Sequence, residues 1–596
     1  MLKRILAILS IVPVVVVSVA LAQAPSSPGA GGALKNFTPV TTEMLLKPDP
    51  ADWLMLSRTY DQQRYSPLNQ ITKQNVGTLR MAWARGFLPG VQETVPVVHN
   101  GVLFVVAPGP VVQALDATNG DLLWEYRRKL PDDMKNFIGD AGRTKCLAIF
   151  QDLIFYTAQD GYIVALDART GTVRWETKVQ DYKQKSQHTS GPIVVEGKVV
   201  SSRACETREA CFIVALDALT GKEAWKFYTT PAPGEPGGDS WGTVPTEKRV
   251  AGGWGLPGAY DPVKKMIYWG IANPKPYTRL RRHNGNVDDV PRSAPADLYS
   301  NSTIALDSGT GKLKWYYQHL PGDDWDQDYT HERILTRTAL NPDPASVKWI
   351  NPKIKPGEQR DIAFMAGEGG GVFVLDRNTG EFLWATPFPY DTPDFLISKV
   401  DVETGKTYIN WDKVFKKDGD RSLLCSFNTK GYWPMAYHPG SNSVYVPYAD
   451  SCLDMTANEK SPEGWGPRFG VQRPGIDPNK FAGIAKINLS TGKIDRFYES
   501  RVPGNGAMLT TAGGLLFWGD LDRRLRAFDV ESGKILWEQI IGGVTQVSTI
   551  TYAVNGKQYV AVIAAEGQSG TGGLLSQVKD LKVPRQHNAL YVFALP

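Results

Sequence analysis

The sequence predicts an all-β fold, an eight-bladed β-propeller that forms one domain. Three observations support this: a hairpin phrase that recurs along the chain, a high content of turn-forming residues, and a strand at the end of the chain that can close a ring. The 596 residues include 58 Gly and 41 Pro, which suits many short strands joined by tight turns.

The recurring phrase is a short apolar run that ends in Asp, with Gly four residues after the Asp and Trp eight residues after it. This spacing predicts a β-hairpin, because Gly adopts the positive φ of a tight turn and the Trp then falls on the second strand. We expect each Trp to pack between neighbouring sheets. The copies are Asp116-Gly120-Trp124, Asp167-Gly171-Trp175, Asp217-Gly221-Trp225, Asp307-Gly311-Trp315, Asp376-Gly380-Trp384, the degenerate Asn488-Gly492-Arg496, and Asp529-Gly533-Trp537.

The distance between copies predicts the number of blades. Successive copies begin 41 to 112 residues apart, so the short gaps hold one four-stranded blade each and the long gaps hold insertions. Insertions on a repeat array often carry the binding face. The segment from Asn75 to Trp83 indicates an eighth unit without the Asp-Gly turn. Residues 589–595 predict a strand that completes the first blade and closes the ring.

Residues 1–24 predict a secretory signal peptide. A basic start precedes an apolar run over residues 5–22, and a cleavage site of the A-x-A type follows at residues 22–24. An uncleaved membrane anchor is the alternative, which the shortness of the run disfavours. We therefore expect export to the periplasm, a mature propeller domain over residues 25–596, and no membrane span in that domain.

Export permits disulfide bonds, and the chain has five cysteines. Cys425 and Cys452 bracket a predicted strand-turn-strand segment, while Cys205 and Cys211 close a short loop, so we predict these two pairs. The odd count leaves one thiol over, which we assign as a free Cys146.

Absent motifs and the charge balance exclude several classes of protein. No C-x-x-C-H phrase occurs, so no c-type haem is expected, and neither C-x-x-C nor H-E-x-x-H indicates zinc. There is no P-loop, and the Gly-rich stretch at residues 567–573 lacks the third Gly of a dinucleotide fingerprint. With 66 basic residues against 61 acidic residues and no long basic run, a nucleic-acid partner is not expected.

Three features occur together along the mature chain. They are the repeats, an opening segment with Trp53, Tyr60-Asp61 and Arg64-Tyr65-Ser66, and the phrase Ala272-Asn273-Pro274-Lys275-Pro276. In combination they resemble the pyrroloquinoline quinone (PQQ) dependent alcohol dehydrogenases, of which the methanol and ethanol dehydrogenases are best known. The resemblance implies an eight-bladed propeller with tryptophan-docking repeats, and PQQ on its pseudo-axis beside a metal ion. Since no haem motif is present, it also implies electron transfer to a separate periplasmic cytochrome c.

The resemblance also assigns the site residue by residue. Asp326 matches the catalytic carboxylate, and the metal ligands are matched by Glu206, Asn273 and Asp326. The positions that hold the quinone are matched by Glu93, Arg143, Thr189 and Trp254, the last as an indole floor under its ring. Carboxylate and amide oxygens suit a hard cation, which polarises the quinone carbonyl as a Lewis acid. A nearby carboxylate can accept the alcohol proton.

Asp328 bears on the identity of the metal. The resemblance implies that members using lanthanides carry a second Asp two residues after the catalytic one, where members using calcium have a small or uncharged residue. Because an extra carboxylate favours a trivalent ion, we expect Asp328 to be a further ligand of a lanthanide(III), with Ca²⁺ as the alternative ion. The alternative for Asp328 itself is a solvated residue of the acidic loop at residues 323–328.

Three departures from the pattern of the resemblance concern the pocket. The adjacent Cys pair that covers PQQ in many relatives is absent, and Phe137 and Ile138 stand near its place. Glu368 occupies a position where relatives carry Lys or Arg, and Gly431-Tyr432 replaces an Asn-Trp pair. A small pocket suited to methanol is therefore not expected. We predict oxidation of a larger primary or secondary alcohol to an aldehyde or ketone.

Two other functions remain open at this point. A non-catalytic propeller scaffold has the same repeats but does not need Glu206, Asn273 and Asp326 together. A quinoprotein sugar or polyol dehydrogenase has the same site, so only a substrate profile separates it from the first prediction. The sequence also leaves a homodimer open.

Overall fold

The computed structural model of the protein describes residues 37–138, 143–566 and 569–596, together with Leu34. The predicted signal peptide lies outside the described residues. Three α-helices lie within the described ranges and all are short: α1 (Thr42–Leu46), α2 (Arg279–Arg282) and α3 (Ser569–Leu575). In this part of the chain, no helix has the length and apolar character needed to cross a membrane.

Short 3-10 helices lie within the loops, and strands make up the rest of the regular structure. The 3-10 helices are Val76–Thr78, Met134–Asn136, Tyr182–Gln184, Arg208–Ala210, Gly238–Trp241, Thr246–Lys248, Trp411–Lys413, Pro439–Ser441 and Pro478–Lys480. The strands are β1 (Tyr65–Ser66), β2 (Arg80–Phe87), β3 (Val97–His99), β4 (Val102–Ala107), β5 (Val111–Asp116), β6 (Leu122–Arg127), β7 (Ala148–Phe150), β8 (Leu153–Thr157), β9 (Tyr162–Asp167), β10 (Val173–Lys178), β11 (Pro192–Val195), β12 (Lys198–Ser201), β13 (Phe212–Asp217), β14 (Glu223–Tyr228), β15 (Ala259–Asp261), β16 (Met266–Gly270), β17 (Ser302–Asp307), β18 (Leu313–Gln318), β19 (Ile334–Leu340), β20 (Trp349–Ile350), β21 (Glu358–Ala366), β22 (Val372–Asp376), β23 (Phe382–Thr386), β24 (Ile397–Val400), β25 (Thr407–Ile409), β26 (Arg421–Leu424), β27 (Ala436–His438), β28 (Ser443–Ala449), β29 (Ser451–Ala457), β30 (Trp465–Gln472), β31 (Ala482–Asn488), β32 (Ile494–Ser500), β33 (Leu509–Thr511), β34 (Leu515–Gly519), β35 (Arg524–Asp529), β36 (Ile535–Ile540), β37 (Ile550–Val554), β38 (Lys557–Ala564) and β39 (Asn588–Ala594).

Eight antiparallel sheets of the described residues form the blades, as predicted. Blade 1 has the order β2-β39-β38-β37, and the others follow the chain: β3 to β6 (blade 2), β7 to β10 (blade 3), β11 to β14 (blade 4), β15 to β18 (blade 5), β19-β21-β22-β23 (blade 6), β27-β28-β31-β32 (blade 7) and β33 to β36 (blade 8). Strand β20 extends blade 6, and β1 pairs in parallel with β33 of blade 8.

The repeated phrase forms the predicted hairpin and the predicted contact between blades. In blade 3, β9 ends at Asp167 and Gly171 turns the chain with a φ of 71°. Trp124 of blade 2 lies against this turn, and its Nε1 donates to the carbonyl oxygen of Ala168 at 2.9 Å. The indole thereby covers the next sheet without leaving its N–H unpaired. The same packing and N–H bond occur at Trp83–Gly120, Trp175–Gly221 and Trp225–Gly311. Trp315–Gly380 and Trp384–Gly492 share the packing, but these two indole N–H groups have no partner among the described residues.

The ring closes through both ends of the chain, as predicted. β2 pairs antiparallel with β39, so that Arg80 stands opposite Ala594. The predicted strand at residues 589–595 is observed one residue earlier, as β39. From blade 8, Nε1 of Trp537 donates to the carbonyl oxygen of Leu79 at 3.3 Å, which joins the last blade to the first. A closed ring leaves no blade with a free face.

A separate three-stranded sheet, β26-β29-β30, is inserted beside blade 7 and is called the insert sheet below. The predicted disulfide between Cys425 and Cys452 is confirmed and ties the residue after β26 to β29. The predicted pair Cys205–Cys211 is also confirmed, in the loop between β12 and β13. Cys146 is a buried free thiol, as predicted.

Gly171→Ala tests the contact that joins the blades. A methyl group on this residue would lie 2.5 Å from Cε3 of Trp124, and Ala disfavours the positive φ. We expect the free energy of unfolding to fall by about 2–4 kcal/mol. Gly197→Ala is a matched control, because Gly197 has the same φ of 71° but no atom within 4 Å of the added methyl. Equal losses in denaturant unfolding of the two variants would show that the indole contact is not tight.

Replacing Cys425 and Cys452 together by Ser tests the larger disulfide. This bond spans 27 residues of sequence, so we expect its loss to lower the free energy of unfolding by about 2–4 kcal/mol. The matched control removes Cys205–Cys211, which spans 6 residues and should cost about 1 kcal/mol less. Mass mapping of unreduced peptides checks the pairing, and four free thiols would contradict it.

Candidate active site

The predicted site residues lie in two kinds of loop. One kind leads into the first strand of a blade, and the other joins the second strand to the third. Because neighbouring strands of a blade are antiparallel, both kinds of loop emerge at the same end of the ring. Loops of the first kind hold Glu93, Arg143, Thr189, Trp254, Asp326 and Asp328, and loops of the second kind hold Glu206, Asn273 and Glu368.

A cavity of about 330 Å³ lies among these loops. Five of the predicted residues line it: Arg143, Thr189, Trp254, Asp326 and Asp328. The remaining lining residues are Gln187, Ala204, Tyr277, Glu368, Phe427, Asn428, Tyr432, Trp433, Arg468 and Gly573. The cavity therefore combines several carboxylates, two guanidinium groups and a wall of aromatic rings.

The acidic loop that carries Asp326 is folded by its own neighbours. The carboxylate of Asp323 accepts the backbone N–H groups of Trp325 and Gln327 at 2.8 and 2.7 Å. The carboxylate of Asp324 accepts the backbone N–H groups of Arg279 and Phe415. Both Asp side chains are fully buried, and burial raises the pKa of Asp324 to about 6. These two residues shape the loop and leave the next two Asp side chains to face the cavity.

Asp326 is held at both carboxylate oxygens. Nδ2 of Asn273 donates to Oδ1 at 2.9 Å, and Nη1 of Arg468 donates to Oδ2 at 2.8 Å. Its backbone has a φ of 62°, a left-handed conformation that is uncommon for residues other than Gly. A carboxylate has about four lone-pair positions, so two donors leave room for a proton from a substrate.

Asp328 is 5% exposed, so the alternative of a solvated surface residue is wrong. Its Oδ1 accepts the backbone N–H of Asn273 at 2.7 Å, and its Oδ2 accepts Nε1 of Trp254 at 2.7 Å. Burial, followed by the neighbouring Asp326 carboxylate, raises the pKa of Asp328 to about 7. The site therefore carries negative charge that burial makes costly unless a proton or a cation balances it.

Glu368 adds a third carboxylate to this cluster. It lies between β21 and β22, and its Oε2 accepts the backbone N–H of Asp328 at 3.4 Å. Burial raises its pKa well above the usual range, and the carboxylates of Asp328 and Asp326 add to the effect. The sequence marked Glu368 only as a departure from a pattern, because nothing in its neighbourhood indicates that it stands beside two other acids.

The aromatic wall and its charges suit a flat anionic cofactor. The rings of Trp254 and Tyr432 meet edge to face, with centroids 6.3 Å apart and an interplanar angle of 69°. Nε of Arg143 is buried and has no hydrogen-bond partner among the described residues. A carboxylate of a bound quinone would satisfy this donor, and an indole face offers a stacking surface. The hydroxyl of Thr189 donates to the carbonyl oxygen of Trp254 at 2.8 Å and so also positions that indole.

Lys145 is a buried charge beside the aromatic wall that the sequence prediction did not single out. Its ammonium group is fully buried, forms an ion pair with Glu93, and lies 4.5 Å from the ring centroid of Tyr432. Burial lowers its pKa, although the Glu93 carboxylate opposes this. The prediction chose Arg143, two residues earlier. The apolar run that begins at Cys146 was the available signal, since the residue just before a buried strand enters the site.

Glu206 stands apart from the acidic cluster. Its side chain is 45% exposed, and its Oε1 accepts Nζ of Lys275 at 2.5 Å. It faces an adjoining cavity of about 930 Å³, which shares Gln187 and Tyr277 with the smaller one. Phe137 and Ile138 also line this larger cavity.

The donor chemistry of the cluster fits a hard cation, although its side chains are not gathered around one point. Asp326 and Asp328 supply carboxylate oxygens beside the amide of Asn273, and burial, followed by the Asp326 carboxylate, raises the pKa of Asp328. Across the three described ranges, no three His, Cys, Asp or Glu side chains stand close enough to form a ready-made ion site. The assignment of Glu206 as a ligand stays a prediction.

Comparison with known proteins agrees with this geometry. The chain matches a family model described as the β-propeller domain of PQQ-dependent glucose, ethanol and alcohol dehydrogenases over residues 53–388 and 483–560. It is 31% identical to the quinohemoprotein alcohol dehydrogenase ADH-IIG of Pseudomonas putida, over 87% of this chain and 73% of that protein. It is 29% identical to the quinoprotein alcohol dehydrogenase PedH of Pseudomonas putida, over 90% of this chain and 89% of that protein.

Solved structures agree as well. A europium-containing methanol dehydrogenase superposes with a TM-score of 0.77 at 27% identity, over 93% of this chain and 100% of that one. The structure of ADH-IIG superposes with a TM-score of 0.79, also at 27% identity, over 94% of this chain and 83% of that one. The family model and these relatives together show that the chain belongs to the PQQ-dependent alcohol dehydrogenase family of β-propellers.

Proposed function

We propose that this protein is a periplasmic dehydrogenase that uses PQQ and one metal ion to oxidise a primary or secondary alcohol larger than methanol. The product is an aldehyde or ketone, and the electrons pass to a soluble cytochrome c. The observation that carries the proposal is the Asp326 carboxylate, held at both oxygens in a cavity beside the Trp254 indole.

When bound beside a metal ion, PQQ would supply the electron acceptor for the oxidation of the alcohol. Arg143 would hold it by charge and Trp254 by stacking, and Glu93 and Thr189 are the other predicted quinone contacts. Asp326 and Asp328, with the Asn273 amide, would hold the metal ion.

The protein's own part in the reaction is proton transfer and orientation. Asp326 accepts the hydroxyl proton of the alcohol as general base. Asn273 and Arg468 fix the plane of its carboxylate through one hydrogen bond to each oxygen. Aromatic side chains of Phe427 and Trp433 line the cavity.

The size of the substrate is inferred from the two cavities. The cavity at Asp326 has a volume of about 330 Å³, and the adjoining cavity of about 930 Å³ shares Gln187 and Tyr277 with it. Part of a long alcohol can therefore extend past Tyr277 while its hydroxyl stays near Asp326. Export, and a single mature domain over residues 25–596, remain part of this proposal.

A dye-reduction assay with added PQQ and metal, across a series of linear alcohols, tests the proposal. We expect kcat/KM to rise from methanol to longer alcohols. Asp326→Asn should lower kcat by roughly 10²–10⁴-fold, because the amide cannot accept the proton. PQQ binding, followed by its absorbance, should persist in the variant. Near-normal turnover by Asp326→Asn would remove this residue from the role of base.

The metal preference is tested by reconstituting the metal-free protein with each ion. Asp326 and Asp328 supply two carboxylates, and PQQ adds its own, which leaves excess negative charge around a divalent ion. We therefore expect higher activity with La³⁺ or Ce³⁺ than with Ca²⁺. Asp328→Ala should shift the preference toward Ca²⁺. Full activity with Ca²⁺ and none with lanthanides would contradict a role for Asp328 at the metal.

A further inference from the structure

One arginine of the insert sheet, Arg468, lines the cavity. Arg468 lies on β30, and its Nη1 donates to Oδ2 of Asp326 at 2.8 Å, across 142 residues of sequence. Nη2 of the same side chain donates to the carbonyl oxygen of Trp325 at 3.5 Å. The guanidinium thus contacts both the carboxylate of Asp326 and the backbone next to it.

Aromatic rings fix the direction of this side chain. The guanidinium carbon lies 5.1 Å from the ring centroid of Phe427 and 4.6 Å from that of Trp465. Trp465 in turn packs on Tyr277, with ring centroids 4.3 Å apart. Arginine stacked between rings loses much of its conformational freedom before it forms a hydrogen bond. Arg468 is therefore oriented toward Asp326 by the protein and not by the ion pair alone.

The insert sheet is itself anchored beside the cavity. The disulfide between Cys425 and Cys452 joins β29 to the chain two residues before Phe427. Strand β29 pairs along its length with β30, which carries Arg468. The position of the guanidinium is therefore set by covalent and backbone connections within this sheet.

Asp326 needs such an orienting contact. Three carboxylates face the cavity, those of Asp326, Asp328 and Glu368, and their mutual repulsion would turn an unrestrained side chain away from its neighbours. Asn273 holds only Oδ1. A second donor on Oδ2 defines the plane of the carboxylate, and so the direction from which it can accept a proton.

We propose that Arg468 is a positioning residue for the proton-accepting carboxylate of Asp326, delivered to the active site by the insert sheet. This inference rests on the proposed function of Asp326. It assigns the insert sheet a role in turnover, since no strand of the eight blades carries this guanidinium.

Steady-state kinetics of three variants test the inference. Arg468→Gln should lower kcat by about 10- to 100-fold, as expected for the loss of one charged hydrogen bond at the reacting group, with KM changed less than threefold. Arg468→Lys keeps one charged donor and should recover part of the loss. Arg468→Ala should regain activity when guanidinium ion is added, because the free ion can occupy the same position between the rings.

Arg473→Gln is the matched control. Arg473 follows the same strand, donates to both oxygens of Asp450 at 2.8 to 3.0 Å, and stacks on Tyr390 outside the cavity. This control loses an ion pair of the same kind, so it should keep its kcat. Tryptophan fluorescence titrated with PQQ should give similar affinities for the wild-type protein and all variants.

The outcomes separate this inference from the proposed function. If the wild-type protein oxidises alcohols and Arg468→Gln keeps full kcat, the positioning role is overturned and the proposed function stands. Equal losses in Arg468→Gln and Arg473→Gln, with no recovery by lysine or guanidinium ion, would also overturn it. A wild-type protein that binds PQQ but reduces no dye with any alcohol would overturn the proposed function and this inference with it.

Discussion

An indole packed against the glycine turn of the neighbouring blade joins each sheet of this protein to the next, from blade 1 round to blade 7. Each contact buries a large ring and, where the N–H meets a backbone carbonyl, does so without an unpaired donor. The loops can vary widely in length and sequence, because the packing of each blade on the next does not depend on them. Where the repeat has Arg496 in place of Trp, it is the backbone carbonyl of the neighbouring Phe497 that lies against Gly533.

The arrangement of the blades also explains where the predicted site residues lie. Loops that enter first strands and loops that join second to third strands share one end of the ring, so residues far apart in sequence meet there. The acidic loop between blades 5 and 6 uses two of its carboxylates, Asp323 and Asp324, to bind backbone N–H groups. The other two, Asp326 and Asp328, remain for the cavity. A local sequence of four acids thus divides into a pair that shapes the loop and a pair that lines the cavity.

The blades were predictable because a fixed spacing of Asp, Gly and Trp is a local signal that repeats. The closing strand and both disulfides followed from equally local evidence and are confirmed. The residues of the site were harder to predict from the sequence. The sequence prediction did not single out the buried Lys145, and the contact of Arg468 with Asp326 spans an insertion that has no repeat to align it. The sequence also did not indicate that the acidic loop is buried, because four acids in six residues are typical of an exposed turn.

Blade 1 takes one edge strand, β2, from near the start of the chain and its other three strands from residues 550–594. The pairing of β2 with β39 therefore joins residues about as far apart as the chain allows, and closing so long a loop is slow relative to local hairpin formation. Blades 2 to 8 can pack on one another as they are synthesised, but blade 1 is complete only when β39 has been made. The order of synthesis thus delays the finished ring until β39 has been made. A chain that lacks β39 would keep every residue that lines the cavity, but it would lose the strand that closes the ring.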